Sequence, residues 1–143
     1  MDTVRNILQL KGNMVYTVCP DSSVYEALEI LEENNLGSLV VVEDDGILNG
    51  IFTERDYARK VILKGRSSKE TLVRHIMTER PVYVTPDIEI GDCMKLMSQK
   101  FIRHLPVLEN GKLVGLVSIG DLVNYIMNQK DFIIENLEHY ISS

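Results

Sequence analysis

The feature that most constrains this chain is that it is written twice. "TVCPDSSVYEALEILEENNLGSLVVVEDDGILNGIFTERD", Thr17 to Asp56, aligns with "YVTPDIEIGDCMKLMSQKFIRHLPVLENGKLVGLVSIGD", Tyr83 to Asp121. The offset is 66 up to Asp44 and Asn110 and 65 from Gly46 and Gly111. The dropped residue falls in a turn, EDDG against ENG, where chain length costs little. "VRNIL" at Val4–Leu8 also resembles "VRHIM" at Val73–Met77, so each copy has a lead-in. An α/β unit of roughly 60 residues buries too little surface to be comfortable alone, which favours two copies sharing a core. The expected division is 1–66 for the first repeat with its N-terminal helix, 67–130 for the second with a linker helix, and 131–143 for a C-terminal helix.

Within a copy the periodicity is readable. Ser23 followed by Glu26 opens a helix whose Val24, Ala27, Leu28 and Leu31 form one apolar stripe. Asn34, Asn35 and Gly37 end it. "SLVVV" and "ILNGIF" then read as strands around a turn, and Thr53 starts a second helix carrying Tyr57, Ala58, Val61 and Ile62. The second copy repeats this with Ile90, Cys93, Met94 and Met97, strands "HLPVL" and "LVGLV", and a helix from Ser118. Each copy is therefore strand, helix, strand, strand, helix. Beyond Asp131, Phe132, Ile133, Asn136, Leu137 and Tyr140 fall at helical spacing, an apolar face for the core or for another subunit.

Composition sets limits on partners. A formal charge of −6 argues against broad nucleic-acid binding, which needs a basic surface. Yet from Arg55 to Arg80 eight Lys or Arg stand against three Asp or Glu, so an anion would be caught locally. No apolar run approaches the roughly 18 residues of a membrane span, and MDTVRNILQL lacks the layout of a secretory signal. Cys19 and Cys93, 74 residues apart and outside any CxxC, suggest neither metal nor disulfide use, and a cytoplasmic setting is expected. His75 and His139 stand alone and read as surface residues.

The chemistry-bearing element is a heptapeptide found once in each copy: "GIFTERD", Gly50–Asp56, and "GLVSIGD", Gly115–Asp121. Two readings are open. A hydroxyl followed three residues later by an acid is a capping box. Equally, Thr53 or Ser118 at a helix start can donate to a phosphate, where free backbone N–H groups and the helix dipole favour an anion. Asp56 or Asp121, one turn on, could then accept both hydroxyls of a ribose, since a carboxylate is acceptor-only with two oxygens.

The ordered set, "PD" before the first helix, "LPVLENGKLVG", and Gly-x-x-[Ser/Thr]-x-x-Asp, occurs twice over about 130 residues. It resembles the CBS domain in the tandem arrangement called a Bateman module, with "TERDYARKV", "HIMT", "RHLPV" and "SIGD" similar to stand-alone CBS-pair proteins of bacteria and archaea. The resemblance implies an α/β fold of two β-α-β-β-α repeats packed sheet to sheet about a pseudo-two-fold axis. It implies a regulatory module that binds AMP, ADP or ATP, or else NAD(H) or S-adenosylmethionine, between the repeats, forms a homodimer, and signals to a protein target. It also implies that each cleft joins one heptapeptide to the other repeat's first hairpin strand. The first cleft would hold Thr53, Arg55, Asp56, Ile102, Arg103, His104, Leu105 and Pro106. The second would hold Ser118, Asp121, Thr17, Gly37, Ser38 and Leu39. These segments give the first cleft two arginines and a histidine and the second no cation, so the first is expected to bind nucleotide more tightly.

Catalysis is not expected, since the chain has no nucleophile–base arrangement, P-loop, metal triad or paired acids. The rival class is a ligand-free dimerisation scaffold with degenerate clefts.

Overall fold

The computed structural model describes residues 2–12 and 14–142, without the side chains of 130–133, 135–136 and 139–142. The element order is α1 (Val4–Lys11), β1 (Thr17–Val18), α2 (Val24–Asn34), β2 (Ser38–Val42), β3 (Leu48–Thr53) and α3 (Glu54–Tyr57), which continues as a π-helical turn, Ala58–Ile62. A 3₁₀ turn at Val73–His75 leads to β4 (Thr78–Glu79), α4 (Ile90–Lys100), β5 (His104–Glu109), β6 (Lys112–Ser118) and α5 (Ile119–Ser142). One sheet has the order β1-β2-β3-β4, and the other pairs β5 with β6.

The repeat is visible in the register. Ser38 pairs Thr53 and Leu39 pairs Phe52, while His104 pairs Ser118 and Leu105 pairs Val117. Both hairpins slip at the same place, between Val41 and Val42 and between Val107 and Leu108. Strand alternation then sorts the side chains. Leu39, Val41 and Phe52 pack with Val24, Ala27 and Leu31 of α2, and Leu105, Val107 and Val117 pack with Ile90, Cys93, Met97 and Leu122. Val40 and Ile51 are buried on the opposite face, outside both clusters, as sheet-to-sheet packing requires.

Both long internal helices stop for local reasons, and α2 also starts for one. The Ser23 hydroxyl accepts from Glu26 N at 3.1 Å. α2 then ends on Asn35 and α4 on Phe101, both left-handed, with φ of 53° and 55°. Asn tolerates that region, whereas a bulky aromatic does so at a cost. Phe101 is also 78% exposed, so little packing offsets the strain. Phe101→Asn is expected to raise stability by about 1 kcal/mol, read as a higher urea midpoint with unchanged slope. An unchanged or lower midpoint would show that the ring contributes what the backbone loses.

Packing crosses the sequence division at 66/67. α1 buries Val4 and Ile7 in the second repeat's core, and Val73, Ile76 and Met77 lie in the first repeat's core. The exchange is reciprocal down to the atoms. Val4 N and Arg5 N donate to Ile88 O and Pro86 O, while Val73 N and Arg74 N donate to Ser22 O and Pro20 O. Arg5 reaches Asp87 at 3.2 Å, and Arg74 reaches Asp21 at 2.6 Å. The "VR" of each lead-in thus clasps the "PD" of the other repeat. These exposed ion pairs add little, and the buried valines and backbone bonds carry the clasp.

Three elements depart from expectation. The linker helix is only a 3₁₀ turn: Thr78, where α1 has Gln9, favours strand, and Pro81 disfavours a helical Arg80, where α1 has Lys11. The second repeat's first strand is reduced to a bridge between Val84 and Val107. The C-terminal segment is no separate helix, since α5 runs 24 residues with no glycine or proline after Gly120 to break it. Of its apolar positions Leu137 is exposed, and the side chains of Phe132, Ile133, Asn136, His139 and Tyr140 lie outside the described residues.

Candidate functional site

Each heptapeptide lies where the last strand of its hairpin enters a helix, but the two copies differ in what they already hold. In the first, Thr53 Oγ1 accepts from Asp56 N, and Asp56 Oδ2 accepts from Thr53 N, both at 3.1 Å. Thr78 Oγ1 from β4 donates to Asp56 Oδ1 at 3.2 Å, and Lys60 Nζ lies 3.0 Å from the same oxygen. Asp56 is 5% exposed. Both of its oxygens are in use, so this carboxylate acts as a cap and as the anchor of the linker strand.

In the second copy the cap recurs: Ser118 Oγ accepts from Asp121 N at 3.1 Å, and Ser118 N donates to Asp121 Oδ2 at 2.8 Å. Here the carboxylate is a quarter exposed, and Oδ1 has no partner among the described residues. Its cation comes from α1: Lys11 Nζ lies 2.7 Å from Asp121 Oδ2 and donates to Leu116 O at 2.9 Å. The segments named from the sequence bring no cation to the second heptapeptide, and Lys11 of α1 supplies one from outside them. Lys11 escaped the sequence reading because it belongs to neither heptapeptide nor strand, and only the exchange of lead-ins brings it there.

The other expected residues are placed as follows. Arg55 Nη1 donates across the repeats to Phe101 O at 2.8 Å. Arg103 is exposed, and His104 is half-buried beside Gly37, where an added Cβ would lie 3.4 Å from its Nε2. Burial lowers the His104 pKa below the usual histidine value, against the pull of Asp121 and Glu54. His104 is therefore neutral near pH 7 and adds no cation to the first cleft. Leu39 and Leu105 are fully buried in the helix-side cores, and Ile102 packs on the second. Ser38 and Pro106 are buried.

Thr17 is brought to the far end instead. It lines a cavity of about 820 Å³ at the hairpin turns with Arg80, Tyr83 and Lys112. Cys93 is buried and its thiol is pushed up to about 11, so it is a packing residue, whereas Cys19 is exposed. Among the described residues no helix is long and apolar enough to cross a membrane.

Two α/β repeats with exchanged lead-ins and a capped Ser/Thr-x-x-Asp at each hairpin exit define a tandem-repeat α/β module. The comparisons with known proteins agree. The CBS domain model matches residues 11–63 and 73–128, and the chain belongs to that family, with two copies. "CBS domain-containing protein CBSX3, mitochondrial" of Arabidopsis thaliana is 39% identical, over 97% of this chain and 71% of its own length. A structure of a CBS-domain protein from Burkholderia ambifaria is 48% identical with a TM-score of 0.85, covering 88% of this chain and 94% of that one. CBSX2, solved in complex with AMP, is 27% identical with a TM-score of 0.75, covering 91% and 99%. The chain is therefore a CBS-pair regulatory module, of a family generally regulatory rather than catalytic.

Proposed function

We propose that this CBS pair senses an adenine nucleotide, AMP, ADP or ATP, in the space between its repeats and passes its occupancy to a protein target. The observation that carries this is the second heptapeptide: an open carboxylate oxygen on Asp121 beside the Lys11 ammonium. A carboxylate for a ribose diol and a cation for phosphate are what a nucleotide needs. The AMP complex of CBSX2 supports the choice of adenine ligand over NAD(H) or S-adenosylmethionine. The saturated Asp56 supports the scaffold reading for the first cleft, and on this proposal the second cleft is the stronger, opposite to the order expected from the sequence. A homodimer in the cytoplasm completes the reading, with Val123, Met127, Ile134 and Leu137 exposed along one side of α5 as surface for the second copy.

Calorimetric titration and thermal shift with AMP, ATP, NADH and S-adenosylmethionine test it. At a hundredfold excess over its dissociation constant a bound nucleotide adds about 2.7 kcal/mol of stability. For a chain of this size that is a rise of about 8 °C. A melting temperature unmoved by every adenine compound would leave the scaffold.

A further inference from the structure

We propose that Lys11, carried in by the N-terminal helix, is the anion-binding residue of the second cleft, taking a phosphate or pyrophosphate group through its unused N–H. An ammonium has three donors, and Asp121 Oδ2 and Leu116 O take two, at 2.7 and 2.9 Å. The third has no partner among the described residues. The side chain is 37% exposed, enough for a ligand to reach it and enough contact to fix it. Its two acceptors belong to β6 and α5, so the ammonium is held beside Oδ1 of Asp121, the open oxygen. A ligand spanning the two would carry hydroxyls at one end and an anion at the other.

Position along the lead-in makes the role specific to this cleft. Counting from the valine of each "VR", Lys11 and Arg80 occupy the same place, seven residues on. The first lead-in stays helical and delivers Lys11 to the heptapeptide. The second becomes β4, delivers Thr78 to Asp56, and carries Arg80 on to the cavity at the hairpin turns. One lead-in thus brings a cation to its aspartate and the other fills its aspartate with a hydroxyl. The two clefts differ through their lead-ins more than through their hairpins.

This rests on the adenine-nucleotide reading only for the identity of the ligand; the anion contact is independent of it. The test titrates AMP, adenosine and pyrophosphate into the full chain, its Lys11→Met variant and its Lys11→Arg variant, with melting temperatures as the folding control. Expected in Lys11→Met is a loss of AMP affinity of about tenfold or more, the size of a charge-assisted bond, with adenosine affinity nearly unchanged. Lys11→Arg should keep most of the AMP affinity, and stabilisation by pyrophosphate should vanish in Lys11→Met alone. Pyrophosphate stabilisation without any AMP or adenosine binding upholds Lys11 and overturns the adenine reading. If Lys11→Met binds AMP and adenosine both more tightly, Lys11 is a plug on Asp121 and the proposal fails. Unchanged AMP affinity, or no effect of pyrophosphate on the parent chain, also overturns it.

Discussion

Gly50→Ala is expected to lower stability by about 3 kcal/mol, at the upper end of overpacking costs, or a melting temperature lower by about 10 °C. A Cβ at Gly50 would sit 2.7 Å from Thr78 O and 2.8 Å from the Met77 sulfur. The carbonyl cannot swing aside, because Thr78 and Glu79 are the two residues that pair β4 with β3, at Ile51 and Gly50. Making room means detaching the linker strand, and with it Met77 and the Thr78 bond to Asp56. Gly115 is the matched control at the same place in the second repeat. There an added Cβ meets Leu8 Cδ2 at 2.6 Å, the end of a side chain that can rotate, and Gly115→Ala should cost about 1 kcal/mol. Urea unfolding of both variants measures the contrast. Equal losses would mean that β4 gives way as easily as a leucine, against the anchoring role assigned to it.

The heptapeptide glycine is thus explained by packing as well as by its place in a motif, and this marks how far the sequence could be read. Periodicity and caps predict α2, α4 and both hairpins because those signals are local: Ser23 with Glu26, or two apolar runs around EDDG and ENG. The repeated "VR" and "PD" were equally visible, but nothing along the chain says they touch, least of all across repeats. That clasp is a long-range contact, 82 residues from Arg5 to Asp87. The site suffered from the same blindness. Arg103 and His104 stand near each other in the sequence, which suggested a cationic cleft. Burial lowers the pKa of the histidine, and Arg55 Nη1 is turned to the carbonyl of Phe101. Whether a lead-in of similar sequence becomes helix or strand decides which aspartate meets Lys11 and which meets Thr78. Propensity alone is too weak to make that decision before packing is known.

Asp56→Ala is expected to cost about 3 kcal/mol, whereas Asp121→Ala costs about 1, although the two aspartates occupy the same motif position. Removing Asp56 strands several groups together: Thr53 N loses its capping acceptor, and Thr78 Oγ1 and the Lys60 ammonium lose a buried acceptor. Asp56 is 5% exposed, so its removal empties a packed position and unpins β4 as well as breaking the cap, even though the exposed Thr78 and the Lys60 ammonium can turn to water. Lys60 keeps its bond to Ile76 O at 3.1 Å, which limits the loss. At Asp121 the carboxylate and Lys11 are both partly open to water, which replaces most of what the alanine removes. The cap alone remains to be lost, worth about 1 kcal/mol. Ligand titration should run the other way: Asp121→Ala loses AMP binding at a small cost in stability, and Asp56→Ala keeps AMP binding once the comparison is made well below its melting temperature. Loss of AMP affinity confined to folded Asp56→Ala would return the nucleotide to the first cleft. Equal destabilisation by both alanines would show that the bonds from Thr78 and Lys60 add nothing to the first cap.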